Sequence, residues 1–136
     1  MLEAIQDLYI FEGLSREEIV YFLMMSETLY LKPGHILISE GEASDDKAYV
    51  IQSGSVEVIR AGEVVGVLGA GQLCGEIALI TNEPRTATIK VKEAAELLVL
   101  NKDEFLLLIK NSDNQAEIRK EIMRRIQANF KSDLEA

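Results

Sequence analysis

Hydrophobic positions fall along the chain in three zones with different periods. In the first, Leu2, Ile5, Leu8 and Tyr9 recur at helical spacing. Ser15-Arg16-Glu17-Glu18 then has the form of a capping box, in which the serine hydroxyl accepts from the amide three residues on and the glutamate reaches back. Ile19, Phe22 and Leu23 follow on one face, with Met25 at its margin. Helices are predicted near residues 2–10 and 15–25.

From about residue 29 to 100 the period shortens. Lys32-Pro33-Gly34 is a turn signal, and Ile36 and Ile38 alternate after it. Ala48-Tyr49-Val50-Ile51 reads as a strand ended by Gln52-Ser53-Gly54, after which Val56 and Val58 alternate with polar residues. Ala61-Gly62 is a tight connection to Val64, Val65, Val67 and Leu68, and two later strands are expected at 86–91 and 97–100. Short strands this crowded leave no room for βαβ crossovers and favour an antiparallel sandwich or barrel. The third zone is helical again. One short helix begins at Asn101-Lys102-Asp103 and carries Phe105, Leu106 and Ile109. A longer one carries Ile118, Ile122, Ile126 and Phe130 at four-residue spacing.

Composition narrows the function classes. The 136 residues suit one domain and are expected to leave no room for a second catalytic domain or a separate DNA-binding domain. Acids outnumber bases by 23 to 14, which disfavours nucleic acid, whose phosphates need clustered Lys and Arg. The acidity is uneven: residues 1–30 hold six acids and one base, whereas residues 111–136 hold five of each. The single cysteine excludes an internal disulfide, the N-terminus lacks a basic leader, and no apolar run is long enough to span a membrane. A cytoplasmic protein is expected. The single histidine, His35, excludes a multi-histidine metal site, and nothing in the sequence positions it against Cys74 as a nucleophilic pair. No phosphate-loop lysine motif occurs, and Gly69-Ala70-Gly71 with Gly75 misses the dinucleotide fingerprint by one residue. The chain reads as non-catalytic, with no cofactor and no metal. Asp45-Asp46 fits a solvated turn better than a metal loop.

One stretch of the β zone, Gly71 to Thr88, is not strand-like. Gly75 permits an unusual backbone angle or a close approach, and 76–80 can make about one helical turn whose opening amides favour an anion. Arg85 follows Pro84 a short loop later, and a guanidinium can pair two phosphate oxygens at once. Glu76 can accept from hydroxyls. A phosphate next to a sugar hydroxyl would suit this set.

Gly75-Glu76-Ile77-Ala78-Leu79 followed by Pro84-Arg85-Thr86-Ala87-Thr88 resembles the phosphate-binding cassette of cyclic nucleotide-binding domains. That family includes kinase regulatory subunits, nucleotide-gated channels and the bacterial catabolite activator. Pro33-Gly34, Glu40-Gly41-Glu42, Tyr49-Val50-Ile51 and Gly54-Ser55-Val56 also match, so the resemblance covers nearly the whole chain. It implies a mainly β jelly-roll barrel over 29–100, with its cassette at 71–88, N-terminal helices in 1–28 and C-terminal helices in 101–136, all one domain.

The resemblance further implies that Glu76 accepts the ribose 2′-hydroxyl and that Arg85 pairs the cyclic phosphate, helped by amides near Ile77, Ala78 and Ala87. Leu73 and Cys74 would lie close to sugar or base, although both suit core packing equally. The second of these positions is often aromatic in the family. Thr86 occupies a place where some members contact guanine and others respond to the adenine nucleotide, so it does not settle the base. The long C-terminal helix would act as a lid, with Arg119, Ile122, Arg125 and Ile126 as candidates. Its apolar stripe serves equally for packing on the barrel or on a second copy. The expected function is reversible binding of a cyclic nucleotide, cAMP in preference to cGMP, relayed by that helix to an output partner the sequence does not name. The alternatives are a jelly-roll interaction domain that binds no nucleotide, and a piece of a larger regulated protein.

Overall fold

Ser15 opens a helix as its capping box predicts. In the computed structural model, residues 15–75 and 83–104 are described, together with Leu106 and Arg124. Helix α1 runs Arg16–Met25; the Ser15 hydroxyl accepts from the Glu18 amide at 3.1 Å, and the Glu18 carboxylate accepts from the Ser15 amide at 3.4 Å. Ile19 is buried and Phe22 and Leu23 are half-buried. Met25, expected at the margin of this face, is 71% exposed. Six residues after Ile19, it is turned about 120° away around the helix. The helix predicted at 2–10 lies outside the described residues.

Six strands follow: β1 Thr28–Leu31, β2 Ile36–Ile38, β3 Lys47–Arg60, β4 Glu63–Gly69, β5 Leu73–Cys74 and β6 Thr88–Asn101. They form one antiparallel sheet in the order β1-β6-β3-β4, with β2 also paired to β6 and β5 to β3. This is the all-antiparallel sheet of the expected jelly roll. The turn at Pro33-Gly34 is closed by the His35 amide donating to the Lys32 carbonyl at 3.2 Å. Ala61-Gly62 joins β3 to β4 with Arg60 opposite Glu63.

Two predicted breaks do not occur. Gln52-Ser53-Gly54 was expected to end a strand, yet β3 passes through it, shifting register against β6 at three points between Ile51 and Val56. Polar residues and a glycine here bulge the strand while its partner continues. The two strands expected at 86–91 and 97–100 are one, β6, which begins only at Thr88. Its middle, Lys92-Glu93-Ala94, is exposed, so the polar run marks a solvated stretch of strand rather than a loop.

The core gathers Ile38, Tyr49, Ile51, Val56, Cys74, Ile89, Val91, Ala95, Leu97 and Val99 into one cluster. The alternate residues Ala48, Val50, Leu98 and Leu100 are buried as well. Both faces of the sheet are therefore covered where β3 and β6 cross. That is why Ala48–Ile51 and Leu97–Leu100 are unbroken apolar runs instead of alternating ones. At the end of β6 the Asn101 side chain accepts from the Glu104 amide at 2.8 Å, and residues 102–104 are helical, which matches the short helix predicted there. The long helix expected over about 115–130 lies outside the described residues, apart from Arg124, which is helical.

Candidate functional site

The site is built where β5 meets β3. Strand β5 is only Leu73–Cys74, and its pairing was not revealed by the sequence pattern: Cys74 sits opposite Tyr49 and Leu73 opposite Val50. This short ladder delivers Gly75 to the start of β3, beside Lys47. Gly75 has φ +82, and a Cβ added there would lie 2.9 Å from Arg85 Nη1 and 3.0 Å from Ile38 Cδ1. Its lack of a side chain thus serves both the backbone angle and the approach of the arginine.

Arg85 returns to this point from the other side. Its backbone is held by the 40–42 loop: the Arg85 amide donates to the Glu42 carbonyl and the Gly41 amide donates to the Arg85 carbonyl, each at 2.8 Å. Its side chain is 5% exposed, and Nη1 donates to the Gly75 carbonyl at 2.7 Å. Nη2 donates to the Lys47 carbonyl and to Asp45 Oδ1, both at 2.7 Å. A buried charge is tolerated only when it is paired and hydrogen-bonded, and two carbonyls with one carboxylate meet that need. Among the described residues, three of the five guanidinium N–H groups find acceptors.

Asp45 is braced in turn. Its Oδ1 also accepts from the Lys47 amide at 3.2 Å, while the Asp46 amide donates to the Ser44 hydroxyl at 3.1 Å and the Lys102 amide donates to the Asp46 carbonyl at 2.9 Å. Asp45 is thus more than the solvated turn residue expected from the sequence. Although half exposed, it gives one oxygen to the arginine. Tyr49 lies within electrostatic reach of this pair. Burial pushes its phenol up to about 12, with the Asp45 carboxylate adding to the rise and the Arg85 guanidinium opposing it.

The other candidates divide cleanly. Leu73 and Cys74 are buried, and Cys74 belongs to the core cluster. Thr86 is half-buried and Ala87 is buried, immediately after Arg85. Glu76, Ile77 and Ala78 lie outside the described residues, as do Arg119, Ile122, Arg125 and Ile126. The structure therefore brings Arg85 against Gly75, with Thr86 and Ala87 following Arg85 in the chain. It adds Asp45 and the Lys47 carbonyl, which sequence reasoning missed because the contact spans forty residues and one partner is backbone. Among the described residues no helix is long and apolar enough to cross a membrane, and no cluster of three potential metal ligands occurs.

Comparison with known proteins places this geometry. The family model of the cyclic nucleotide-binding domain matches residues 28–112. Potassium channel AKT2/3 of Arabidopsis thaliana is 32% identical over 125 residues, covering 87% of this chain and 15% of the channel. The cAMP-dependent protein kinase regulatory subunit of Yarrowia lipolytica is 41% identical over 81 residues, 58% of this chain and 21% of that protein. This chain thus spans about a fifth or less of either relative. Among solved structures, a cAMP-bound PfPKA-R superposes with a TM-score of 0.79 at 22% identity, covering 96% of this chain and 44% of that one. The regulatory domain of Toxoplasma gondii PKA with cAMP superposes with a TM-score of 0.68 at 28% identity, covering 79% and 42%.

Proposed function

The chain belongs to the cyclic nucleotide-binding domain family, and from that premise we propose that it is a non-catalytic sensor that binds cAMP in preference to cGMP and relays the bound state through its C-terminal helix. The observation that carries this reading is the buried Arg85 guanidinium, aimed beside Gly75 at the opening of the cassette and held there by two carbonyls and one carboxylate. Such an arginine is oriented before any ligand arrives, so little entropy is lost when a phosphate pairs with it. The cyclic phosphate would be held by Arg85 and by amides of Ile77, Ala78 and Ala87, and the ribose 2′-hydroxyl would donate to Glu76. Leu73, Cys74 and Thr86 would stand nearest the sugar and base. Preference for adenine is supported by the kinase regulatory subunit that shares 41% identity. That the match covers only 15% and 21% of two relatives supports reading this region as a sensor module of the kind built into longer proteins.

A ligand shifts such a protein between two states only through its different affinity for each. In this reading the lid helix, with Arg119, Ile122, Arg125 and Ile126, is the element that differs. Titration calorimetry with cAMP and with cGMP tests the first step. Heat with cAMP at lower concentration than with cGMP is expected; silence from both at high micromolar ligand would leave the nucleotide-free interaction domain as the better account. Arg85→Ala is expected to weaken binding by ~2–5 kcal/mol, because it removes one partner of a hydrogen-bonded charge pair.

A further inference from the structure

The loop that grips the Arg85 backbone also grips the tip of the β3–β4 hairpin, through one residue. Gly41 and Glu42 bond the two sides of the Arg85 peptide. Their neighbour Glu40 donates its amide to the Thr88 hydroxyl at 3.0 Å, just downstream of Arg85. Its carboxylate then reaches across the sheet, and both oxygens accept from the Ala61 amide at 3.3 Å. Ala61 has φ +50, a left-handed angle that a residue with a side chain adopts at a cost. The hairpin tip is thus kept in its turn by a carboxylate whose own backbone is bound to the phosphate-binding segment.

We propose that Glu40 is a positioning residue that couples the Arg85 segment to the β3–β4 hairpin, so that a cyclic nucleotide on Arg85 tightens the Ala61-Gly62 turn. This rests on the function proposed above and names a regulation of the same site. The chain of contacts is short: phosphate to Arg85, Arg85 peptide to Gly41 and Glu42, Glu40 carboxylate to Ala61. Glu40 itself touches no part of the ligand. By linkage, the factor by which the ligand favours the tightened turn equals the factor by which the tightened turn favours the ligand.

The test is amide exchange at Ala61 in the full chain, with and without cAMP, alongside calorimetry on the same samples. In the parent protein, saturating cAMP should slow exchange at Ala61 on the order of fivefold or more. Glu40→Ala should abolish that response and weaken cAMP binding by a similar factor, while exchange at core amides such as Val50 and Leu98 stays as in the parent. Glu40→Gln keeps one acceptor oxygen and should restore part of the response, which a loss of global stability would not do. If cAMP binds and Ala61 does not respond, or responds equally in Glu40→Ala, the coupling is wrong while the sensor reading stands. If the parent gives no heat with cAMP or cGMP, the sensor reading itself fails and the coupling falls with it.

Discussion

In the proposed site, Arg85 would be a buried cation prepared for an anion without being satisfied by one. Its guanidinium rests on two backbone carbonyls that no substitution removes, and on the half-exposed Asp45 carboxylate, which a substitution can remove. In the proposed site, an incoming phosphate would meet that carboxylate as a like charge. Asp45→Asn keeps an acceptor oxygen at the same place and deletes the charge, so affinity for cAMP is expected to rise. The gain is limited, since half-exposed pairs are worth ~1 kcal/mol at most, or about fivefold. It should shrink as salt screens the pair, and a weaker complex in low salt would contradict this view of Asp45. Tyr49 carries the pH dependence of the same corner. Its phenol is raised to about 12 in the folded protein, against an ordinary value of 10.0. The folded state therefore holds this proton more tightly than the unfolded chain does. The resulting stability is complete below pH 10 and is lost as pH rises from 10 through about 12. Urea midpoints measured across that range should fall in the parent and fall less in Tyr49→Phe.

At the level of elements, β3 and β6 are the two strands whose length the residue pattern conceals. Polar and glycine residues usually end a strand in sequence reasoning. Here Gln52-Ser53-Gly54 and Lys92-Glu93-Ala94 fall in one bulged stretch, with Ser53 opposite Glu96 and Ser55 opposite Glu93, and pairing continues on both sides. Gly54 makes the crossing feasible. At φ +83, a Cβ there would strike the Ala94 carbonyl and lie 2.7 Å from Ala95 Cα, atoms of the partner backbone that cannot move aside alone. Gly54→Ala is therefore expected to destabilise by at least ~3 kcal/mol, combining the left-handed cost with the clash. Gly69→Ala is the control, since its nearest neighbour would be the Gly54 carbonyl oxygen at an ordinary 3.8 Å. It should stay within ~0.5 kcal/mol of the parent. Equal midpoints for the two variants would refute the argument. The capping box, the Pro33-Gly34 turn and the Ala61-Gly62 hairpin were legible because their chemistry is local. Strand β5 was not, because two residues carry no periodicity and their pairing with Tyr49 and Val50 is a long-range event.

For the whole molecule, the net acidity excludes less than it first suggests. A polyanion needs many bases, whereas one cyclic phosphate needs one arginine and a few amides, and a protein with 23 acids can bury that arginine. The segment after residue 111, with five bases and five acids, is the least acidic part of the chain and the proposed lid. If that helix closes over the ligand, amide exchange across residues 115–130 should slow when cAMP is added. Unchanged exchange there, with binding intact, would point to a helix docked in both states. By itself the sequence determined the class of fold and the local caps and turns, and it singled out Arg85 as a candidate. Those depend on residue type, short spacing and period, which a chain displays without folding. Tertiary structure decided that β3 and β6 run unbroken, that Leu73 and Cys74 pack in the core, and that Asp45, the Lys47 carbonyl and the Gly75 carbonyl converge on one guanidinium. Each of these joins residues far apart in the chain or uses backbone oxygens that every residue carries, so side-chain identity alone leaves no trace of them.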